Sequence, residues 1–412
     1  MKPNVVAGLD IGTHSIKMMV AKVPEDAGDL EILGLAEQRS AGVRKGAVVN
    51  PEEITKQLLF VKQKIEQMSG VRVKEVSCTI GGSHIFVVPS HGIVAVSRAD
   101  GNISQEDVDR VLSAAQAFSL RSNTEILDIS PQQFIVDGAA GVKEPIGMRG
   151  IRLEADVLAI CCFTPYRKNL NQAVLAADLE IVDTVPSSLA AGATVLTTQD
   201  KELGVALVDI GAGTTGLAVY AEGDLIHTAV FPIGSDNITN DIAIGVRCDH
   251  DVAELIKTEF GTCMGSKGKK MEKVQGPDGE TVSFAVSFVT HIIEARVKEI
   301  LQLAGKELKK LGNPPHLNIS GGGKQGLLPA GLVFVGGGAK LPRLIDFAKK
   351  ELKLPSRMGM PHGVLVSESR PELLSVMGLV VSSVDMQERT PGGVFWQGVW
   401  SKVRRVFKTF IP

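Results

Sequence analysis

Two aspartates, Asp10 and Asp209, each close an apolar run and enter a glycine turn. The first turn reads Asp10-Ile11-Gly12-Thr13-His14-Ser15, the second Asp209-Ile210-Gly211-Ala212-Gly213-Thr214-Thr215. Glycine lets the backbone approach a ligand closely and take positive φ, so consecutive N–H groups can converge on phosphate oxygens. A carboxylate at the strand end can hold a hydrated Mg²⁺, which keeps several waters and is reached through one or two carboxylates plus phosphates. Asp10 and Asp209 suit that role, positioning metal-bound water and the nucleotide phosphates. Lys17 lies seven residues beyond Asp10, placed to return across the turn to a β- or γ-phosphate. One such turn is ordinarily just a β-turn. Two at equivalent places, 199 positions apart (209 − 10), read as the halves of one site.

A third element follows the apolar run 332–335: Gly336-Gly337-Gly338-Ala339-Lys340. It offers a flat glycine surface to a nucleoside, and the helix expected from Leu341 offers its N-terminus to phosphates. A similar run, Gly321-Gly322-Gly323, has no buried strand before it and no helix after it, and reads as a loop.

The elements that must position these residues repeat as well. Strands at 5–9 and 16–23 flank the first turn, and strands at 205–208 and 217–220 flank the second. A helix over 51–68 opens on Pro51 with Glu52 and Glu53 in its first turn. Between about 73 and 162, short alternating strands at 76–80, 93–96, 134–136 and 155–161 surround one helix. That helix starts at Ser104, which pairs with Asp107 in a capping-box pattern. The stretch reads as a small α+β insert. A helical stretch from Tyr166 leads to a helix at 186–196, and helices are expected at 234–246, 251–260, 286–311 and from Leu341 and Pro371. Residues 312–331 read as a loop.

A chain of 412 residues is too long for one core, so two lobes are expected. Its net charge of −2 gives no global attraction to nucleic acid, and none is expected as a partner. Five cysteines without a Cys-x-x-Cys pair predict reduced, mostly buried thiols, and no transition-metal site is expected. The chain shows no signal peptide and no run of about 18 apolar residues, which predicts a cytosolic protein.

The last segment is the strongest signal of all. At 100° per residue, Trp396, Val399, Trp400, Val403, Val406, Phe407, Phe410 and Ile411 fall within an arc of roughly 140°. Lys402, Arg404, Arg405 and Lys408 occupy the other side, and both tryptophans of the chain lie here. Following the polar, helix-breaking linker 384–393, this reads as an interfacial anchor on anionic lipid. The alternative is a helix docked on the protein's own core or in a partner groove.

In order and spacing, the two aspartate turns and the glycine run resemble the phosphate-one, phosphate-two and adenosine motifs of the actin, sugar-kinase and heat-shock chaperone superfamily. Segments 186–196 and 371–382 resemble its two connecting helices. Glu254 and Lys257 resemble its Glu-x-x-Lys pair, whose side chains bracket adenine and ribose; by themselves they are an exposed i,i+3 pair. Ala193 is the best-aligned position for the Gln or Glu that orients the attacking water, so the resemblance implies ATP and Mg²⁺ binding with slow or conditional hydrolysis.

The insert, the two turns and the terminal helix together are similar to FtsA, the family of bacterial division actins. That resemblance implies an α/β fold, a two-lobed actin-like ATPase with a small α+β insert subdomain in the first lobe and a C-terminal amphipathic helix. By the same resemblance, the first lobe comprises 1–82 with 163–196 and 371–383, and the insert 83–162. The second lobe comprises 197–246 with 312–370, and its outer subdomain 247–311. A linker at 384–393 and a membrane helix at 394–412 complete the chain. The likeness further implies that the protein polymerises on the inner face of the cytoplasmic membrane at the division site. It would tether FtsZ there through that protein's C-terminal peptide and recruit later division proteins. Arg296 and Lys298 become candidate contacts for that acidic peptide, or else part of a solvated helix face. Two other classes stay open: a PilM-like pilus-assembly scaffold and a small-molecule kinase of the same superfamily.

Overall fold

Two sheets of the same topology carry the chain. They are seen in a computed structural model that describes residues 4–24, 28–265, 270–276, 279, 281–311, 328–365 and 370–387. In the first lobe, β1 (Val5–Ile11), β2 (Ser15–Lys22) and β3 (Leu30–Arg39) form an antiparallel meander. A short ribbon, β4 (Val43–Arg44) and β5 (Ala47–Val48), leads to α1 (Pro51–Ser69), capped by Asn50 and ended by left-handed Gly70. Strand β6 (Glu75–Ile80) then pairs parallel to β1.

The insert follows: β7 (Phe86–Ala95), α2 (Gln105–Ala115), β8 (Thr124–Val136), β9 (Ala139–Val142) and β10 (Arg152–Phe163). Its strands form a sheet of order β7-β10-β8-β9, covered by α2 and holding a core of its own around Val111, Phe134 and Leu153. The chain returns through α3 (Thr164–Ala176) and β11 (Glu180–Pro186), which pairs parallel to β6. Helices α4 (Ser187–Val195) and α5 (Thr198–Leu203) lead into the second lobe.

There β12 (Val205–Ile210), β13 (Thr215–Ala221) and β14 (Asp224–Phe231) repeat the meander. Helices α6 (Ser235–Val246) and α7 (His250–Phe260), the hairpin β15 (Met271–Gln275) and β16 (Thr281–Ala285), and α8 (Val286–Lys310) come next. Strand β17 (Gly331–Val335) pairs parallel to β12, and α9 (Leu344–Leu352) and β18 (Ser356–Met358) extend the lobe. Strand β19 (Val364–Leu365) crosses back to β3, and α10 (Leu374–Gln387) returns to the first lobe. The orders β11-β6-β1-β2-β3 and β18-β17-β12-β13-β14 are the same arrangement built twice.

Burial explains the strand sequences. Val205 and Leu207 of β12 enter the core shared with α4 and α10, while Ala206 and Val208 enter the core under α6–α9. With both faces covered, the strand reads as continuous apolar residues. The lobes join where α4 and α10 cross. A Cβ at Gly378 would stand 1.7 Å from the Ala190 carbonyl oxygen, so only glycine permits that approach.

Four expectations need correction. The strand at 76–80, which its pattern groups with the insert and the division at 82 assigns to the first lobe, belongs to the first-lobe sheet, where its parallel pairing to β1 depends on residues remote in sequence. Strand β11 interrupts the helical stretch expected between Tyr166 and α4. The strands expected at 93–96 and 134–136 are the ends of much longer ones: Pro89-Ser90-His91-Gly92 interrupts the apolar alternation of β7, and both faces of β8 are partly covered. The linker expected from 384 cannot begin there, because α10 continues to Gln387. The glycine run 321–323, the rest of that linker and the amphipathic segment 394–412 lie outside the described residues.

Candidate functional site

Between the lobes lies a cavity of about 610 Å³, a size ordinary for a nucleotide or cofactor site. Both aspartate turns open into it. Each is closed by the same bond: Gly12 N donates to Ser15 O (3.1 Å), and Gly211 N donates to Thr214 O (2.9 Å). The turns touch, since a Cβ at Gly213 would stand 2.7 Å from Thr13 Oγ1. Gly213 therefore serves the approach of the two lobes and does not itself line the cavity. Thr13 Oγ1 also accepts from Gly46 N at 3.0 Å, tying the first turn to the ribbon beside it.

Asp10 and Asp209 both line the cavity, in different settings. Asp10 accepts from Thr79 Oγ1 (2.7 Å) and pairs with Lys17 Nζ (3.3 Å), with both side chains about nine-tenths buried. Lys17 reaches across the turn as expected, but to the carboxylate. For Asp209, no hydrogen bond to a side-chain oxygen is found among the described residues. Burial pushes it up to about 7, the charge of Asp10 adds to this, and Lys17 opposes it.

The glycine run fits a flat ligand. Gly336 takes φ 85°, and a Cβ there would stand 2.4 Å from Asp209 Oδ1; one at Gly338 would stand 2.4 Å from Ile210 Cγ2. Gly337 faces open space, with only Glu372 Cβ near, at 3.9 Å. The run is a 3-10 turn (Gly337–Lys340) and α9 starts only at Leu344, so the helix N-terminus expected at Leu341 is displaced by a turn. Lys340 pairs with Glu372 at 3.1 Å. Glu254 and Lys257 line the same cavity and pair at 2.6 Å. Burial would raise the Glu254 carboxyl, but hydrogen bonds from Lys257 and Thr239 prevail and hold it below the usual range.

His14, Ser15 and Thr214 line the cavity, whereas Thr215 is fully buried and donates to Ile233 O at 2.8 Å. Ala193 does not reach it. The residue that α4 presents there is Ser187, six positions earlier and about 9 Å along the helix axis. Arg370 and Glu37 also line the cavity and carry no signal in the sequence, since they meet at 3.5 Å only across 333 positions.

These residues suit a nucleotide with Mg²⁺: glycine surfaces with no side chain in the way, two facing turns of N–H groups, and carboxylates at both strand ends. When bound, such a metal would screen phosphate charge. With such a ligand bound, the chain's own part would be to orient the phosphates between the turns, which reach the cavity from both lobes.

The fold is the actin-like ATPase fold, with an inserted α+β domain. Solved structures agree on the fold. The PilM-PilN type IV pilus biogenesis complex matches with a TM-score of 0.64 at 16% identity, covering 92% of this chain and 98% of that one. MreB5 of Spiroplasma citri bound to ADP matches with a TM-score of 0.58 at 13% identity, covering 95% and 99%.

The model of cell division protein FtsA matches residues 206–378, and that of the SHS2 domain inserted in FtsA matches residues 82–161. Cell division protein FtsA of Pseudomonas aeruginosa is 35% identical over 363 residues, 87% of this chain and 84% of that protein. FtsA of Bacillus subtilis is 34% identical over 375 residues (90% and 82%), and that of Escherichia coli K12 is 32% identical over 363 (87% and 85%). The chain belongs to the FtsA family of cell division proteins.

Proposed function

We propose that this chain is an ATP- and Mg²⁺-dependent division scaffold that polymerises on the inner face of the cytoplasmic membrane. The observation that carries the reading is the cavity between two facing aspartate turns in a member of the FtsA family. A ligand touching both turns favours one closed arrangement of the lobes, and a fixed arrangement is what head-to-tail self-association requires. Hydrolysis is slow or conditional on this reading, because the side chain α4 offers to the cavity is the short, neutral Ser187 and not a carboxylate or carboxamide.

Attachment rests on segment 394–412, whose apolar arc and basic face suit anionic lipid. No described helix is long and apolar enough to cross a membrane.

Tethering of FtsZ, and recruitment of later division proteins, accord with family membership. The second lobe's outer helices offer a surface for the FtsZ C-terminal peptide. Ile244 of α6 is 78% exposed and Phe288 of α8 47% exposed. Arg296, on α8 as well, is bound by Asp241 (2.6 and 2.9 Å) and Glu299 (2.6 Å). Lys298 is more loosely held, 3.6 Å from Glu351. An acidic peptide would therefore meet Lys298 first and compete with Asp241 for Arg296.

The test is co-sedimentation with vesicles containing anionic lipid, in Mg²⁺ and ATP, comparing the full chain with one truncated after Gly393. Pelleting of the full chain only, with filaments on the lipid, is expected. Equal recovery of both forms in the supernatant would remove the anchor.

A further inference from the structure

The insert is attached to both lobes. Its connections to the first lobe lie beside the cavity: Gly81, before β7, lines it, and Phe163 N, at the return, donates to His84 Nδ1 at 3.4 Å. Gly82 takes φ 109°, and a Cβ at Gly46 would stand 2.6 Å from Gly82 N, an approach that only glycine permits. Gly46 N in turn donates to Thr13 Oγ1, the atom that Gly213 approaches from the second lobe. This attachment is therefore two contacts away from the point where the aspartate turns meet.

The other attachment is on β14, an edge strand of the second lobe, against which β7, β8 and β10 all lie. Both sides of this junction skip a residue. On β8, Gln133 pairs with Asp156 and Pro131 with Val157, so Gln132 has no partner in the ladder. On β14, His227 pairs with Val219 and Leu225 with Tyr220, so Ile226 is passed over. A bulge re-aims a side chain, and Gln132 Nε2 donates to Leu225 O at 2.9 Å. Lys143, just beyond β9, donates to Gln132 O at 3.1 Å and to Asp224 Oδ2. The Asp224 side chain is 17% exposed. Burial pushes its carboxyl up to about 6, Lys143 opposes this, and the charges of Glu202 and Glu222 add to it. Without Lys143 the insert would sit against a buried carboxylate with two acidic neighbours, and such a charge is costly to leave unpaired.

We propose that the insert is a brace between the lobes: Gln132 and Lys143 seat it on β14 in the same arrangement that brings the aspartate turns together, so that filling the cavity and seating the insert favour each other. First lobe, insert, second lobe and the touching turns form a closed ring, which cannot shift at one joint without strain at another. A ligand that touches both turns favours their approach, and that approach holds β14 against the insert. Such coupling is reciprocal: what the seat adds to ligand binding, the ligand adds to the seat. Gln132, Lys143 and Asp224 do not line the cavity, so their effect on a ligand acts through the arrangement of the lobes. The ligand half of the inference rests on the nucleotide reading of the cavity.

The experiment uses the full chain with Cys248→Ser, the other four cysteines being buried, and spin labels at Glu106→Cys on α2 and Lys349→Cys on α9, both exposed positions. Without ligand, dipolar spectroscopy should give one distance between insert and second lobe. Lys143→Met should add a second population, and Gln132→Ala a smaller one. Adding Asp224→Asn to Lys143→Met removes the unpaired charge and should return most of the single distance. Calorimetric titration with Mg-ATP should show Lys143→Met binding roughly 5- to 150-fold more weakly, the usual span of coupling between two sites, with recovery in the double variant. An unchanged distance distribution in Lys143→Met and Gln132→Ala overturns the proposal. So does ATP affinity equal to that of the unaltered chain, or a loss that Asp224→Asn does not recover; each leaves nucleotide binding by the unaltered chain intact. No ATP binding by the unaltered chain overturns the nucleotide reading and the coupling with it, while the distances still decide whether Lys143 seats the insert.

Discussion

The two aspartate turns share a sequence pattern, a closing hydrogen bond and a place in duplicated sheets, yet they are electrostatic opposites. In the first, the residue paired across the hairpin from Asp10 is Lys17; in the second, the residue paired with Asp209 is Gly216. Asp10 also receives the Thr79 hydroxyl from the neighbouring parallel strand. At Gly216 a side chain would crowd α4, since a Cβ would stand 3.0 Å from Ser188 Cβ. The first carboxylate is thus neutralised within the protein, while the second lies in the same cavity with its negative charge opposed chiefly by the more distant Lys17. A duplicated backbone fixes where charges stand. What crosses the hairpin from each decides which charge is left for a ligand and its metal.

The largest expected effect comes from filling the space behind the unpaired aspartate. Gly336→Ala puts a methyl group onto Asp209 Oδ1 at a positive φ, costing about 1–3 kcal/mol in backbone strain and a similar amount in overpacking. Denaturant unfolding should show the loss, and ATP binding by titration should disappear.

Next is Lys17→Met, which makes the first turn resemble the second by leaving Asp10 buried without its cation. Removing one partner of such a pair costs about 3–5 kcal/mol when burial is complete, and somewhat less at this depth. Thermal unfolding should move down by several degrees, and Asp10→Asn in the same chain should recover much of it.

A smaller effect concerns pH. The carboxyl of Asp209 sits at about 7 in the folded chain against 3.8 as its ordinary value. The folded state then binds a proton that the unfolded state has released. Its contribution to stability is full below about 4 and is lost as pH rises toward 7. Urea unfolding of the ligand-free chain between pH 4 and 8 should show this slope, and Asp209→Asn should flatten it. Magnesium nucleotide should bind more tightly as pH rises through 7, since an ionised carboxylate is what would hold a hydrated metal.

The smallest expected effect tests the hydroxyl. Thr79→Val removes one of Asp10's two partners and should cost about 1–2 kcal/mol, measured by unfolding at pH 7. A cost near zero would mean that Lys17 alone distinguishes the two turns.

Much of this is legible without coordinates. Apolar runs ending in Asp-Ile-Gly, repeated at one interval, announce a doubled strand–turn–strand unit, and antiparallel register alone puts Lys17 opposite Asp10. The capping pair at Ser104 and Asp107 and the break at Gly70 are also local signals, carried by side-chain chemistry a few residues apart. Where both faces of a strand are covered, alternation fades. The pattern then groups β6 with the wrong sheet. β11 is hidden for another reason, since this half-exposed edge strand is short and follows closely on α3. Ala193 rests on alignment along a helix whose start the sequence pattern fixes only to within a turn. Contact with the cavity depends on that start, and Ser187 makes it instead.

What the sequence determined by itself was therefore the local geometry: turns, caps, strand pairs and the glycine surface at 336–338, because these are set by neighbours along the chain. Tertiary structure decided which groups meet. Thr79 reaches Asp10 across 69 positions, Gly213 admits Thr13 from the other lobe, and Thr239 clips Glu254 to Lys257. No periodicity encodes such meetings, since each is a contact between two elements whose separation is fixed only when the cores on both sides are packed.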